Sequence, residues 1–217
     1  MDLQEIKVQG SEQLFLAGWI LPDTTICDDL ITFWKDHPDY QRPGVAGYSD
    51  MSGVQVNKEL KDSIDVTLVP QNAPPVLADY ATQLQLVMNA YKEKYYWAGA
   101  YSSYALMEPV NIQYYPPGGG FKQWHTERTE SHFPSIARHL VFMTYLNTVT
   151  DAGETEFFYQ KTKVQPVKGL TLIWPADWTY THRGIPSPSQ EKFVITGWYS
   201  YISREIQNDI HYRRISK

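Results

Sequence analysis

The apolar residues change period part-way along the chain. Around residues 26–35, Ile26, Leu30, Phe33 and Trp34 recur at helical spacing, after Thr24 or Thr25 as a cap and with Asp28 and Asp29 in the first turn. This predicts a helix from about Ile26 to Lys35. A longer one is predicted over 75–95. Pro74-Pro75 opens it, and Val76, Tyr80, Leu84, Val87, Tyr91 and Tyr95 follow the 3.6-residue period. Residues 1–22 suggest one or two strands, chiefly Gln13 to Ile20, stopped by Leu21-Pro22. Residues 36–73 are rich in turn formers, with a short strand from Ser63 to Val69, and read as a segment able to close over a site.

From Val110 onward the pattern is β. Strands are expected at Asn111 to Tyr115, Trp124 to Glu127, Leu140 to Leu146, Glu154 to Tyr159, Val164 to Pro166, Leu170 to Trp174, Tyr180 to Arg183 and Phe193 to Ser203. Short strands at regular spacing, punctuated by Gly, Pro and Asp, predict a sandwich or jelly roll. The basic end, Tyr212 to Lys217, reads as a solvated tail.

Composition sharpens this. The 217 residues suit one domain, and 16 Tyr, 8 Phe and 7 Trp favour pleated, half-buried surfaces. A net charge of −5 argues against broad nucleic-acid binding. The single Cys27, with no basic cluster beside it, reads as a small helix residue and excludes an internal disulfide. The first residues, MDLQEIKV, lack the basic start and apolar core of a signal peptide, and no apolar run has the length of a membrane span. The expectation is a cytoplasmic protein with no membrane partner.

The chemistry centres on Tyr114 to Arg128, YYPPGGGFKQWHTER. On a strand, His125 and Glu127 would share one side, because side chains alternate. An imidazole and a carboxylate together form two-thirds of a 2-His-1-carboxylate facial triad, a set suited to non-haem Fe(II). His182 is the candidate third ligand. An H-x-E pair alone is a weak signal, since most such pairs are solvated surface residues. His37, His132, His139 and His211 have no partners in register; His132 is nearest to a rival but has loop-like flanks.

After His125-Thr126-Glu127 come Arg138, Tyr145-Leu146-Asn147, Gly153-Glu154-Thr155-Glu156-Phe157, Leu172-Ile173-Trp174-Pro175, His182, Gly184, Lys192, Thr196 and Trp198. In this order the chain resembles the Fe(II)- and 2-oxoglutarate-dependent dioxygenases, in particular the prolyl 4-hydroxylase-like branch with its small phage and bacterial members. The resemblance covers roughly residues 108–203. It implies a double-stranded β-helix (jelly roll), mainly β, with N-terminal α-helices packed on one sheet. Residues 1–107 would supply strands and supporting helices, 108–203 the catalytic core, and 204–217 a tail. It implies Fe(II) held by His125, Glu127 and His182, with 2-oxoglutarate and O2 as cosubstrates and ascorbate as a candidate reductant. Lys192, ten residues after His182, would pair with the distal carboxylate of 2-oxoglutarate; Tyr115, or its neighbour Tyr114, would donate a hydrogen bond to it. Arg183 is an alternative cation. Arg138 and Trp198 fall on the substrate side.

The implied activity is hydroxylation of an unactivated C–H bond, with a peptidyl proline as the leading substrate. A phage-encoded member would act in the host cytoplasm. Two features depart from the family pattern. Glu127 replaces the usual Asp, and Phe121 stands where peptide prolyl hydroxylases often carry a Tyr. The alternatives are the same chemistry on a free amino acid or small metabolite, or a non-catalytic jelly-roll binding module.

Overall fold

The computed structural model describes residues 3–7, 15–46, 56–129 and 133–203. The expectations for Gln13 and Leu14, for His132 and His211, for the 204–217 tail, and for the 47–55 part of the closing segment lie outside these residues.

In chain order the elements are β1 (Glu5–Ile6), β2 (Ala17–Ile20), α1 (Thr25–Asp36), β3 (Gln41–Pro43), β4 (Lys61–Asp62), β5 (Ile64–Leu68), α2 (Pro75–Lys94), β6 (Tyr104–Leu106), β7 (Val110–Tyr115), β8 (Gly120–Phe121), β9 (Arg138–Tyr145), β10 (Thr155–Phe157), β11 (Thr162–Val164), β12 (Leu170–Pro175), β13 (His182–Gly184) and β14 (Lys192–Tyr201). The main sheet runs β1-β2-β12-β9-β14-β7-β5-β3, with β6 also on β14. A second sheet, β11-β10-β13, faces it, and β4 pairs with β8. All these pairings are antiparallel. This is the expected jelly roll.

Alternation along the main sheet separates two cores. One face carries Ile112, Phe142, Ile173, Phe193 and Ile195, which pack on Leu30 and Trp34 of α1 and on Tyr80, Leu84 and Val87 of α2. The other carries Tyr115, Val141, Tyr145, Leu172, Trp174 and Val194 and packs towards Phe157 and Val164 of the second sheet. The helices thus form an outer layer, and the opposite face of the main sheet is left to line an inter-sheet cavity. A buried hydroxyl relay ties helix to sheet: Tyr80 Oη lies 2.7 Å from Thr144 Oγ1, which lies 2.7 Å from Thr171 Oγ1.

Local details correct some expectations. α1 is capped one residue earlier than predicted: Asp23 Oδ1 accepts from the Thr25 amide at 2.9 Å and its hydroxyl at 2.7 Å, while Thr24 supplies no side-chain cap. Cys27 is fully buried, and burial pushes its thiol up to about 12, which leaves it inert as expected. On α2 the buried stripe is Leu77, Tyr80, Leu84, Val87, Met88 and Tyr91, rotated slightly from the predicted Val76 and Tyr95 edges. Trp124 to Glu127 is not a ladder strand. Its contact with the second sheet is one isolated bridge, His125 to His182. Tyr180 belongs to a short helical turn, Trp178–Tyr180, so β13 starts at His182.

Leu84 is fully buried between α2 and the sheet, on the face away from the inter-sheet cavity. Leu84→Ala should therefore cost about 2–5 kcal/mol of stability. Denaturant unfolding of the variant measures it.

Candidate metal and cosubstrate site

His125 and His182 are brought together by their own backbones. The His125 amide donates to the His182 carbonyl at 3.0 Å, and the His182 amide donates back at 2.9 Å. The two rings lie 4.2 Å apart. Each imidazole has its Nδ1 against a main-chain carbonyl: His125 with Gln123 O at 2.9 Å, His182 with Tyr180 O at 3.0 Å. A carbonyl only accepts, so both Nδ1 atoms carry a proton; in the neutral ring Nε2 is then the free acceptor. Glu127 Oε1 lies 3.8 Å from His125 Nε2 and 3.4 Å from His182 Nε2. Although the segment is not a regular strand, His125 and Glu127 still face the same point.

Three acceptors within 4.8 Å of one another, with no donor among them, form an arrangement that a cation satisfies. Two neutral nitrogens and one carboxylate oxygen suit a divalent metal such as Fe(II). The protonation states agree. Burial, reinforced by the neighbouring His182, lowers His125 to about 3, so its ring is neutral at pH 7. Burial opposes ionisation of Glu127, but His182 and His125 in their protonated forms, together with Arg138, outweigh it and hold the carboxyl at about 2, so at pH 7 it is an anion. Aromatic rings brace both ligands. Phe121 stacks flat on His125, 3.6 Å between centroids at 9°. Phe157 and Trp174 flank His182 at 5.5 and 5.2 Å.

The three side chains open into a cavity of about 540 Å³ between the sheets. Lys192 lines the same cavity and is paired across the ladder with Tyr115. The Lys192 ammonium sits 5.2 Å over the Tyr115 ring and donates to Gly153 O at 2.8 Å. Gly153 adopts φ 85°, a left-handed conformation that favours glycine; a Cβ there would come within 2.8 Å of Val149. Lys192 is only 4% exposed, and burial lowers it to about 8 with modest relief from Glu154. An ammonium has three donors. A buried one beside a single carbonyl and no contacting acid is prepared for an anion. Gly184 keeps room there: a Cβ at that position would lie 3.6 Å from the ammonium. The Tyr115 phenol, held protonated by burial, donates to Gln113 Oε1 at 2.7 Å.

Of the alternatives, Tyr114 does not reach the cavity. As the neighbour before Tyr115 it points to the opposite, helix-covered face, where its ring meets Trp34 at 4.9 Å and Phe193 at 4.8 Å. Arg183 also points away, donating to Glu156 at 2.8 Å and stacking on Trp124 at 4.4 Å. Arg138 and Trp198 do line the cavity, but their polar groups are turned on Glu127. Trp198 Nε1 donates to Glu127 Oε2 at 2.9 Å, and Arg138 Nη1 donates to Glu127 O at 2.6 Å. Sequence reasoning missed three residues here. Lys61 and Asp65 form a buried pair at 2.7 Å on the cavity wall, and Glu108 grips Arg138.

Residues 110–200 match the family model described as the 2OG-Fe(II) oxygenase superfamily. Over that stretch the jelly-roll core of this chain is similar to that superfamily. Three solved structures share the fold of this chain. A prolyl-4-hydroxylase from Pseudomonas putida is 15% identical over 89% of this chain and 96% of its own, with a TM-score of 0.64. A viral collagen prolyl hydroxylase from Paramecium bursaria Chlorella virus-1, in complex with 2OG, is 18% identical over 88% and 98%, at 0.61. A prolyl hydroxylase from Trichoplax adhaerens, in complex with a hypoxia inducible factor oxygen degradation domain peptide, is 13% identical over 88% and 86%, at 0.66. No curated protein matches the chain. The cofactor set of that superfamily, Fe(II), 2-oxoglutarate and O2, fits the cavity and its His125-Glu127-His182 group. Among the described residues, no helix is long and apolar enough to cross a membrane.

Burial of Lys192 has a pH signature. Its folded value, about 8, lies below the ordinary 10.5, so between those two pH values the unfolded chain holds the proton that the folded chain has lost. Its contribution to stability is therefore least favourable below pH 8 and improves as pH rises towards 10.5. Lys192→Met should stabilise the ligand-free protein at pH 7, and the gain should shrink above pH 8. Paired denaturation curves across pH 6–10.5 read this out.

Proposed function

We propose that the protein is an Fe(II)- and 2-oxoglutarate-dependent dioxygenase that hydroxylates an unactivated C–H bond, with a prolyl residue of a peptide or protein as the substrate. The observation that carries the reading is the meeting, in one cavity, of three convergent acceptors with a buried ammonium that has no acid in contact. His125 Nε2, His182 Nε2 and Glu127 Oε1 would hold Fe(II), and Lys192 would pair with the distal carboxylate of 2-oxoglutarate. Tyr115 would join it by swinging its hydroxyl from Gln113. Bound Fe(II) supplies oxidation of the C–H bond by O2, with 2-oxoglutarate leaving as succinate and carbon dioxide. The chain's own part is placement. The bridge between His125 and His182 sets the spacing of two ligands, and the Nδ1 bonds set both tautomers. The stacked Phe121 and Phe157 and the edge-on Trp174 cover the imidazoles.

The prolyl reading rests on the fold shared with prolyl hydroxylases and on the positions of Arg138 and Trp198. A second reading is supported by the same two residues. The Arg138 guanidinium is already bonded to Glu108 and Glu127, and the Trp198 N–H to Glu127, so neither group is free for a peptide. Phe121, without a hydroxyl, is committed to His125. These favour the same chemistry on a free amino acid or small metabolite.

Succinate formation from 2-oxoglutarate by metal-depleted protein, given Fe(II), ascorbate and O2, tests the enzyme. Turnover should disappear in His125→Ala. Lys192→Met should weaken 2-oxoglutarate binding by about 2–5 kcal/mol, the range for truncating one partner of a buried charge pair. A proline-rich peptide that raises succinate output supports the prolyl substrate. Slow turnover indifferent to it supports the small-molecule reading. An absence of turnover, metal binding and 2-oxoglutarate binding would refute the dioxygenase.

A further inference from the structure

Glu108 is a buried acid that neither the ligand set nor the cosubstrate end of the cavity explains. It is 6% exposed and lies just before the matched region 110–200. Its carboxylate is filled by two residues. Arg138 Nε is 3.0 Å from both of its oxygens, Arg138 Nη2 is 2.6 Å from Oε2, and Ser200 Oγ donates to Oε1 at 3.0 Å. Arg138 in turn reaches the Glu127 carbonyl at 2.6 Å and stacks 3.7 Å over the Trp198 ring. Trp198 completes the circuit on Glu127 Oε2 at 2.9 Å.

We propose that Glu108 is the positioning residue that makes Glu127 a well-directed carboxylate ligand, acting through Arg138 and Trp198. The inference rests on the reading of Glu127 as a metal ligand. Two physical effects support it. A glutamate has one more rotatable bond than an aspartate, so an untethered Glu127 would spread over several rotamers and could offer either oxygen. Here the main chain of Glu127 is held by Arg138, and Oε2 is occupied by the Trp198 N–H, which leaves Oε1 to point at the histidines. The second effect is electrostatic. Arg138 is a cation beside a site built for a dication, and repulsion between them would weaken metal binding. The bidentate pair with Glu108 neutralises it while leaving its geometry intact.

Co(II) titration of the full-length, metal-free protein tests this, with affinity read by calorimetry and ligand geometry by the visible spectrum. Glu108→Gln should weaken binding about 10- to 100-fold, as loss of a partner behind a metal ligand does, and should alter the spectrum. Glu108→Asp, which keeps the charge, should recover part of the affinity. A merely structural ion pair would behave differently: Glu108→Gln would lower the melting temperature of the metal-free protein and leave affinity and spectrum unchanged, and that result overturns the inference. If Glu108→Gln does not fold, Trp198→Phe examines the same circuit at its other end, because it keeps an aromatic ring under Arg138, although a smaller one, and removes the N–H on Oε2. An unchanged Co(II) spectrum and affinity in Trp198→Phe would overturn it equally. Wild-type protein that binds no Co(II), or Glu127→Gln that binds it as wild type does, would instead remove the ligand reading itself and the inference with it.

Discussion

Two backbone hydrogen bonds between His125 and His182 hold the site together. They join a segment with no ladder of its own to the edge of the second sheet, and so convert a loop into part of the cavity wall. Because each residue gives both its amide and its carbonyl to the other, the two side chains are forced to leave the bridge on one side. The Nδ1 bonds to Gln123 and Tyr180 then use carbonyls two residues before each histidine, so the turn geometry that makes the bridge also selects the tautomers. Phe121 can lie flat on His125 only because β8 pairs with β4 just before it. A slip of one residue in this bridge would exchange His125 for Trp124 or Thr126, and no metal set would remain.

The cavity is a place where the fold accepts unfavourable electrostatics. Three acceptors converge without a donor, and an ammonium is buried against a single carbonyl. The remaining buried charges nearby are treated differently. Lys61 faces Asp65, and Arg138 faces Glu108, each within 2.7 Å. The contrast separates groups that serve the scaffold from groups left incomplete for something that binds. The rigid double-core architecture carries that cost, with aromatic and aliphatic packing on both faces of the main sheet.

Much of this was legible in the sequence because the main sheet and the helices are long enough to show their periods. α2 has 20 residues and β14 has 10. β4 and β8 have two residues each, too few to show any alternation, and β6 has three. The candidate ligand residues were singled out through the order of motifs. The same-side relation of His125 and Glu127 was expected from a regular strand, and it arises instead from an isolated bridge. Tyr115 and Tyr114 could not be separated until the register with Lys192 assigned Tyr115 to the cavity. What stayed hidden were partners distant in sequence: Glu108 lies 30 residues from Arg138, and Lys61 enters through a pairing with Phe121. Side-chain partnership at such separations leaves no local pattern.

The assignment of Arg138 shows where resemblance and geometry part. A position in a motif says which wall of the cavity a residue stands on, but not whether its donors are free. In this chain the guanidinium is saturated by Glu108 and Glu127, and its face is covered by Trp198. A peptide carbonyl could gain Arg138 only by breaking a charge-assisted bond already in place, an exchange with little net gain. The cavity's other polar lining groups include Thr67 and Asn111, hydrogen-bonded to each other at 2.7 Å, and Arg42. The same saturation makes the extra methylene of Glu127 tolerable. The guanidinium and indole N–H that line the cavity are thus both bonded to Glu127, so the position of this carboxylate and the wall beside it are coupled through one arginine.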